Sequence, residues 1–232
     1  MNDWRFLFSR RWVAGLVLIL VFAVLCHVLA QWQLARRAQA QAEIQRVERN
    51  YDATPVDVNA ALPTRESYSA DQKWTPVVLN GQYLASEELL VRNRPCAGAS
   101  GYEVLTPFQL DDGDVFIVDR GCVPAGSVTN TAATYQPAPG GEQRIVVRLR
   151  AGEPVVQGRE DTGSTLGSIA LERIAERVGL PAYTGAYGQL DSAETINPPF
   201  RFQRPDPDEG PHLSYALQWY VFAAIAFVAY GW

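Results

Sequence analysis

The chain has 232 residues, 47% of them hydrophobic, and a formal net charge of −5 from 20 basic and 25 acidic residues. No basic stripe or arginine-rich tract occurs, which argues against a nucleic-acid partner. All but three of the basic residues and all but one of the acidic ones fall between positions 36 and 211, a stretch long enough to bury its own core.

Residues 1–11 form a short tail with Arg5, Arg10 and Arg11 against Asp3. Residues 12–35 then carry no charge, and neither do residues 213–232: runs of 24 and 20 positions. A helix needs about 20 apolar residues to cross the hydrocarbon core, and irregular backbone there would strand its polar groups in lipid. Transmembrane helices are therefore expected at 12–35 and 212–232, with a tail at 1–11 and one domain at 36–211 between the spans. Ser9, Arg10 and Arg11 resemble a twin-arginine start, and Val28, Leu29 and Ala30 suit a signal peptidase. The apolar core of a cleaved signal is only about 7–15 residues, however, so the run reads as a retained span. Leu25 is too large to precede a lipoprotein cysteine at Cys26. No long amphipathic, arginine- and serine-rich presequence is present, which favours a bacterial plasma membrane over organelle import.

Residues 35–51 mix Arg, Glu, Gln and Ala and continue the first span as a solvated helical stalk. Residues 55–74 read as loop. The pattern then changes to strands. Residues 76–84 contain Asn80-Gly81, a hairpin or bulge signal. A second strand covers 89–94 and is ended by Pro95. A third covers 102–110, where Pro107 suggests an edge or a bulge. Asp111, Asp112, Gly113 and Asp114 form a turn, before a nearly all-apolar fourth strand at 115–119. Residues 143–150 alternate as a half-buried fifth. Helical spacing runs through Ile169, Leu171, Ile174, Ala175 and Val178, stopped by Gly179 and Pro181. A last strand is expected within 183–190, and Pro-rich extended chain from 197 to 211. The fold class expected is an α+β membrane protein: two transmembrane helices flanking a mainly antiparallel β barrel or sandwich with one short helix.

No nucleophile elbow, phosphate-binding loop or zinc-protease motif is present. The acidic turn lacks the ordered ligands and terminal Glu of a calcium loop. Cys96 and Cys122 are an even pair in a domain without metal-ligand spacing, so a disulfide formed in an oxidising compartment is expected. Arginines flank both spans, leaving the positive-inside count undecided. The cysteine pair therefore places the domain outside the cytoplasm and both termini inside. Only two histidines occur. His27 lies within the first span and shares a helix face with Gln31; it reads as a neutral imidazole bonded to the second helix, where Ala30, Ala216 and Ala223 allow close approach. His212, Tyr215 and Trp219 line one face at the start of the second span. Spacing alone leaves two readings of His212, an interfacial anchor or an axial haem ligand.

Several segments resemble one family. Trp32, Gln33, Leu34, Ala35 and Arg36 look like the motif closing its first span. Leu89-Leu90-Val91-Arg92-Asn93-Arg94, Gly101-Tyr102, Thr106-Pro107-Phe108 and Val118-Asp119-Arg120-Gly121-Cys122-Val123-Pro124 follow in order. His212-Leu213-Ser214-Tyr215-Ala216-Leu217-Gln218-Trp219 opens the last span. Together they resemble the surfeit-locus protein one family, called Shy in yeast, from end to end of the chain. Two positions depart from it: Ala30 and Gln31 replace a glycine before the tryptophan motif, and Cys122 replaces an aromatic. The resemblance implies an assembly factor for an aa3-type cytochrome c oxidase, acting on its core subunit or on haem a and not itself an enzyme. It implies His212 as candidate haem-iron ligand for a transiently bound haem a, and Tyr215, Trp219 and Trp32, expected near it at the outer ends of the spans, are the aromatics that could shield a porphyrin face. The partners implied are the oxidase core subunit and membrane lipid. The alternatives are a permanent accessory subunit of a respiratory supercomplex and, since no histidine lies between the spans, less readily a membrane-tethered hydrolase.

Overall fold

A computed structural model describes residues 9–126, 134–191 and 199–232. Arg5 of the tail and Asn197-Pro198 of the Pro-rich stretch lie outside the described residues. The chain divides into two compact units, Met1–Gln45 with Asp206–Trp232, and Arg46–Pro205.

The first unit is built from two long helices. α1 runs from Arg10 to Asn50 and α4 from His212 to Gly231. Both are long and apolar enough to cross a membrane, and only 11% and 6% of their most apolar windows are buried within the protein. Core helices of a soluble fold would bury those windows, so the pair fits a membrane protein. α1 continues beyond the apolar run through the expected stalk.

The second unit holds eight strands. In chain order these are β1 (Val56–Asp57), β2 (Pro76–Tyr83), β3 (Leu89–Cys96), β4 (Ala99–Leu110), β5 (Val115–Pro124), β6 (Glu142–Ala151), β7 (Thr165–Leu166) and β8 (Ala186–Leu190). A four-residue helix α2 (Val58–Ala61) follows β1, and α3 (Leu171–Val178) precedes β8. The strand order is β1-β2-β6-β8-β5-β4-β3-β7, with β2 also pairing to β4, so β2, β6, β8, β5 and β4 form a closed circuit of ladders. The antiparallel expectation is corrected to a mixed sheet, because β1–β2, β3–β7 and β5–β8 are parallel.

Alternation along the strands separates two cores. One face carries Val77, Leu79, Phe108, Phe116, Val118, Val147 and Leu149, contributed from β2, β4, β5 and β6. The other carries Leu89, Val91, Leu105 and Ile117 against Leu171 and Ile174 of α3. Asn80-Gly81 makes no hairpin; it lies inside β2, where the strand meets β6 on one side and β4 on the other. Pro107 sits between the β3 ladder, ending at Leu105, and the β2 ladder, beginning at Phe108. A missing N–H is tolerated at that change of partner. Pro95 does not end β3, which continues to Cys96.

Cys96 and Cys122 are disulfide-bonded, with Cα atoms 5.6 Å apart. The bond joins the end of β3 to β5 over the strand between them. Arg148 of β6 stacks on the Tyr51 ring at 3.6 Å and donates to the Tyr51 carbonyl and, at 2.8 Å, to Asp191. This clamp holds the last turn of α1 to the strand ends of its own unit.

Candidate functional site

Along the uncharged runs of α1 and α4 the side chains are mostly apolar, so a polar group there gains from a partner on the other helix. The structure supplies a ladder of them. Tyr230 donates to the Trp12 carbonyl at 2.7 Å and meets its ring edge-on at 5.1 Å. Gln31 donates to the Tyr220 hydroxyl at 3.1 Å, which also meets His27 Nδ1 at 3.3 Å. His27 and Gln31 thus both face the second helix. Cys26, Ala30 and Ala216 are buried at the contact, while Ala223 is only half-buried. Just before α4, Glu209 accepts from Arg37 at 2.9 Å and from Gln41 at 3.1 Å. These two bonds hold its carboxyl below the usual range.

His212 is the next rung. Its Nδ1 lies 2.8 Å from Gln33 Oε1. A carbonyl oxygen only accepts, so Nδ1 donates to it, and in a neutral ring the lone pair is then on Nε2. That is the tautomer a metal ligand needs, fixed by an outer partner. Gly210, with φ of 68°, turns its open side to the same nitrogen: a Cβ there would stand 3.4 Å from Nε2. Of the other expected residues, Tyr215 and Trp32 are 48% and 56% exposed, and Trp219 packs edge-on to Phe222 at 5.8 Å. Among the described residues no ring contact joins Trp32, Tyr215 or Trp219 to His212. The arrangement is a half-buried histidine with exposed aromatic surface on the same helix pair. Gln33 was not among the expected site residues; its signal was its place in the tryptophan motif.

The domain unit holds a second polar assembly that sequence reasoning missed. Asp119 and Arg120 sit on a strand whose other residues are almost all apolar, and charges inside such a strand were the available signal. Asp119 is fully buried; one oxygen accepts from the Gly121 N–H at 3.1 Å and the other has no hydrogen-bond partner among the described residues. Burial pushes its carboxyl well above the usual range, and the neighbouring Glu103 adds to this. Glu103 is itself raised by burial, against the pull of Arg94 at 3.1 Å. Arg120 is 5% exposed and donates to Glu88 at 2.9 Å and to the carbonyls of Gln136 and Pro137. Glu88 also accepts from Thr106 and Tyr135.

The same motif docks the chain that returns towards α4. Cys122 and Phe200 exchange both backbone bonds, at 2.9 and 2.7 Å, and Arg201 donates to the Arg120 carbonyl at 2.8 Å. Gly121, at φ of 122°, is required there, because a Cβ would lie 2.3 Å from the Phe200 oxygen. The family motif is thus explained by burial and backbone approach rather than by a reacting group.

These features define a class: a mixed-sheet domain with a long apolar helix on either side of it in sequence, the two helices sharing a polar ladder. Residues 20–224 match the SURF1 family, and the chain belongs to that family. It is 33% identical over 234 residues to uncharacterized SURF1-like proteins of Mycobacterium tuberculosis and Mycobacterium bovis, covering 98% of this chain and 84% of theirs. A SURF1-like protein of Dictyostelium discoideum is 22% identical over 93% of this chain and 94% of its own length. The cytochrome oxidase assembly protein SHY1 of Saccharomyces cerevisiae is 30% identical over 122 residues, 50% of this chain and 30% of that protein.

Proposed function

We infer that this protein is a non-enzymatic assembly factor for cytochrome oxidase, which presents haem a to the core subunit of an aa3-type enzyme while His212 holds the iron. Membership of the SURF1 family and the likeness to a yeast oxidase assembly protein support the assembly role. The observation that carries the haem step is the His212–Gln33 bond of 2.8 Å: with Nδ1 donating to Gln33, a neutral ring keeps on Nε2 the lone pair that an iron would take. Haem supplies an iron that accepts an axial imidazole, and imidazole is its commonest protein ligand. Exposed Trp32 and Tyr215 offer the flat apolar surface against which a porphyrin face packs. An open site suits a cargo that must leave again, since enclosing it would raise the cost of release.

The proposed location is a bacterial plasma membrane, crossed by α1 and α4, with the domain on the outer side. The disulfide supports that side, because such bonds persist in oxidising compartments. The test is the absorbance of haem a in oxidase from cells carrying His212→Ala, with the level of this protein measured alongside. Reduced haem a in the oxidase at an unchanged level of the factor is expected. Normal oxidase haem would remove the ligand role, and normal oxidase after full deletion would remove the assembly role.

A further inference from the structure

The strand motif at 89–94 has no part in the haem reading, yet it breaks the regular ladder of its sheet. β3 and β4 lose register between Arg92 and Arg94, and Asn93 sits at the break with φ of 60°. Asparagine tolerates this left-handed conformation better than most residues with a side chain, and a bulge re-aims the side chains beside it. The ladder on the other edge stops just short of the bulge, since β7 pairs only with Leu90 and Val91. A cleft of about 390 Å³ opens beside it, lined by Arg92, Asn93, Tyr102, Thr162 and Thr165.

The chemistry of that lining is one-sided. Arg92 donates to the Glu160 carbonyl at 2.8 Å and has no carboxylate partner among the described residues. Tyr102 is only 6% exposed, yet its hydroxyl has no hydrogen-bond partner among them. Thr162 and Thr165 bond each other through their backbones, at 2.8 and 2.9 Å, and neither hydroxyl has a partner among the described residues. No acidic side chain is among the described lining residues. These hydroxyls line the cleft and none is a fully buried atom, so a ligand there would exchange their bonds to water for bonds to itself.

We propose that this cleft binds a small organic anion, through a carboxylate or phosphate group held by Arg92 and the hydroxyls of Tyr102, Thr162 and Thr165. A guanidinium with free donors is suited to either oxyanion. The volume falls at the lower end of the range for small-molecule sites, roughly 300–1,000 Å³, and leaves room beyond the charged group for the rest of a ligand. The proposal stands independently of the haem reading, because it uses none of the same residues.

The test is the thermal unfolding midpoint of the full chain in detergent micelles. It is titrated with inorganic phosphate, and separately with citrate, against sodium chloride at equal ionic strength. A saturable rise above the chloride control is expected with one of the two, and which one identifies the oxyanion. Arg92→Gln should raise the half-saturating concentration at least tenfold. If that variant does not fold, Tyr102→Phe and Thr165→Val carry the test, each expected to raise it several-fold. No rise with either anion, or folded variants that respond like the parent, would overturn the proposal.

Discussion

The helix pair and the sheet domain solve the same problem in opposite ways. Both contain polar groups shielded by apolar neighbours. On α1 and α4 those groups meet one or two at a time, Tyr220 between Gln31 and His27, and His212 against Gln33. In the domain they are pooled. Glu88 alone accepts from Thr106, Arg120 and Tyr135, and Glu103, Arg94 and Glu153 form a chain beside buried Asp119. Helices satisfy their own backbones, so a helix pair needs only isolated side-chain bonds to fix its register. A mixed sheet with a returning chain docked on it needs a network, because several strands must be held at once. Losing one member should therefore matter more in the domain than between the helices.

The largest effect should follow loss of the cross-strand bond. Replacing Cys96 and Cys122 together by Ser is expected to destabilise the domain by about 2–5 kcal/mol, read from denaturant midpoints of parent and variant. An unchanged midpoint would mean that the polar network alone holds β3, β4 and β5 in place.

Next comes Asp119. Its folded-state carboxyl titrates above the unfolded value of about 3.9, so the native state binds a proton more tightly than the unfolded chain. Stability from this group is therefore complete below the unfolded value and is lost as pH rises towards the folded one. Unfolding midpoints of the parent should fall over that window more steeply than those of Asp119→Asn, which cannot titrate. Parallel pH profiles would show that Asp119 does not hold its proton.

Much of this division could be read from residue order. The uncharged runs gave both long helices, apolar runs between turn signals gave most strands, with alternation marking 143–150, and the even pair of cysteines gave the bridge. The polar contacts within the helix pair were legible because helical spacing puts His27 and Gln31 on one face. The network was not. Alternation marks a strand without naming its neighbour, so nothing local to β5 tells that β8 runs parallel beside it, or that Phe200 takes over at Cys122. His212 was legible as a ring at a helix start, but its partner Gln33 lies 179 positions away. The proton on its Nδ1 became assignable only once that partner was in place.

Gln33 gives a sharper test of the haem reading. Removing an outer partner of a metal-bound histidine commonly weakens the metal by 10–100-fold. Gln33→Leu should accordingly lower haem affinity of the purified protein by roughly tenfold in a spectroscopic titration, with little change in its unfolding midpoint. Equal affinity in the two proteins would leave the Gln33 bond as a helix contact only.

The smallest effects should come from within the helix ladder itself, and their order separates its rungs. Tyr220→Phe removes a hydroxyl that serves both Gln31 and His27 among apolar side chains. Interhelical bonds in such surroundings average about 0.6 kcal/mol, so a loss of that order is expected, insensitive to salt. Arg37→Gln breaks a pair with Glu209 whose side chains are 33% and 40% exposed. Exposed ion pairs contribute little and weaken as salt screens them. The two variants are best compared by unfolding in detergent at low and at high sodium chloride. The Arg37→Gln deficit should shrink with salt while the Tyr220→Phe deficit persists. If both shrink together, Tyr220 is as well solvated as Glu209, and the rungs do not differ in the way their surroundings require.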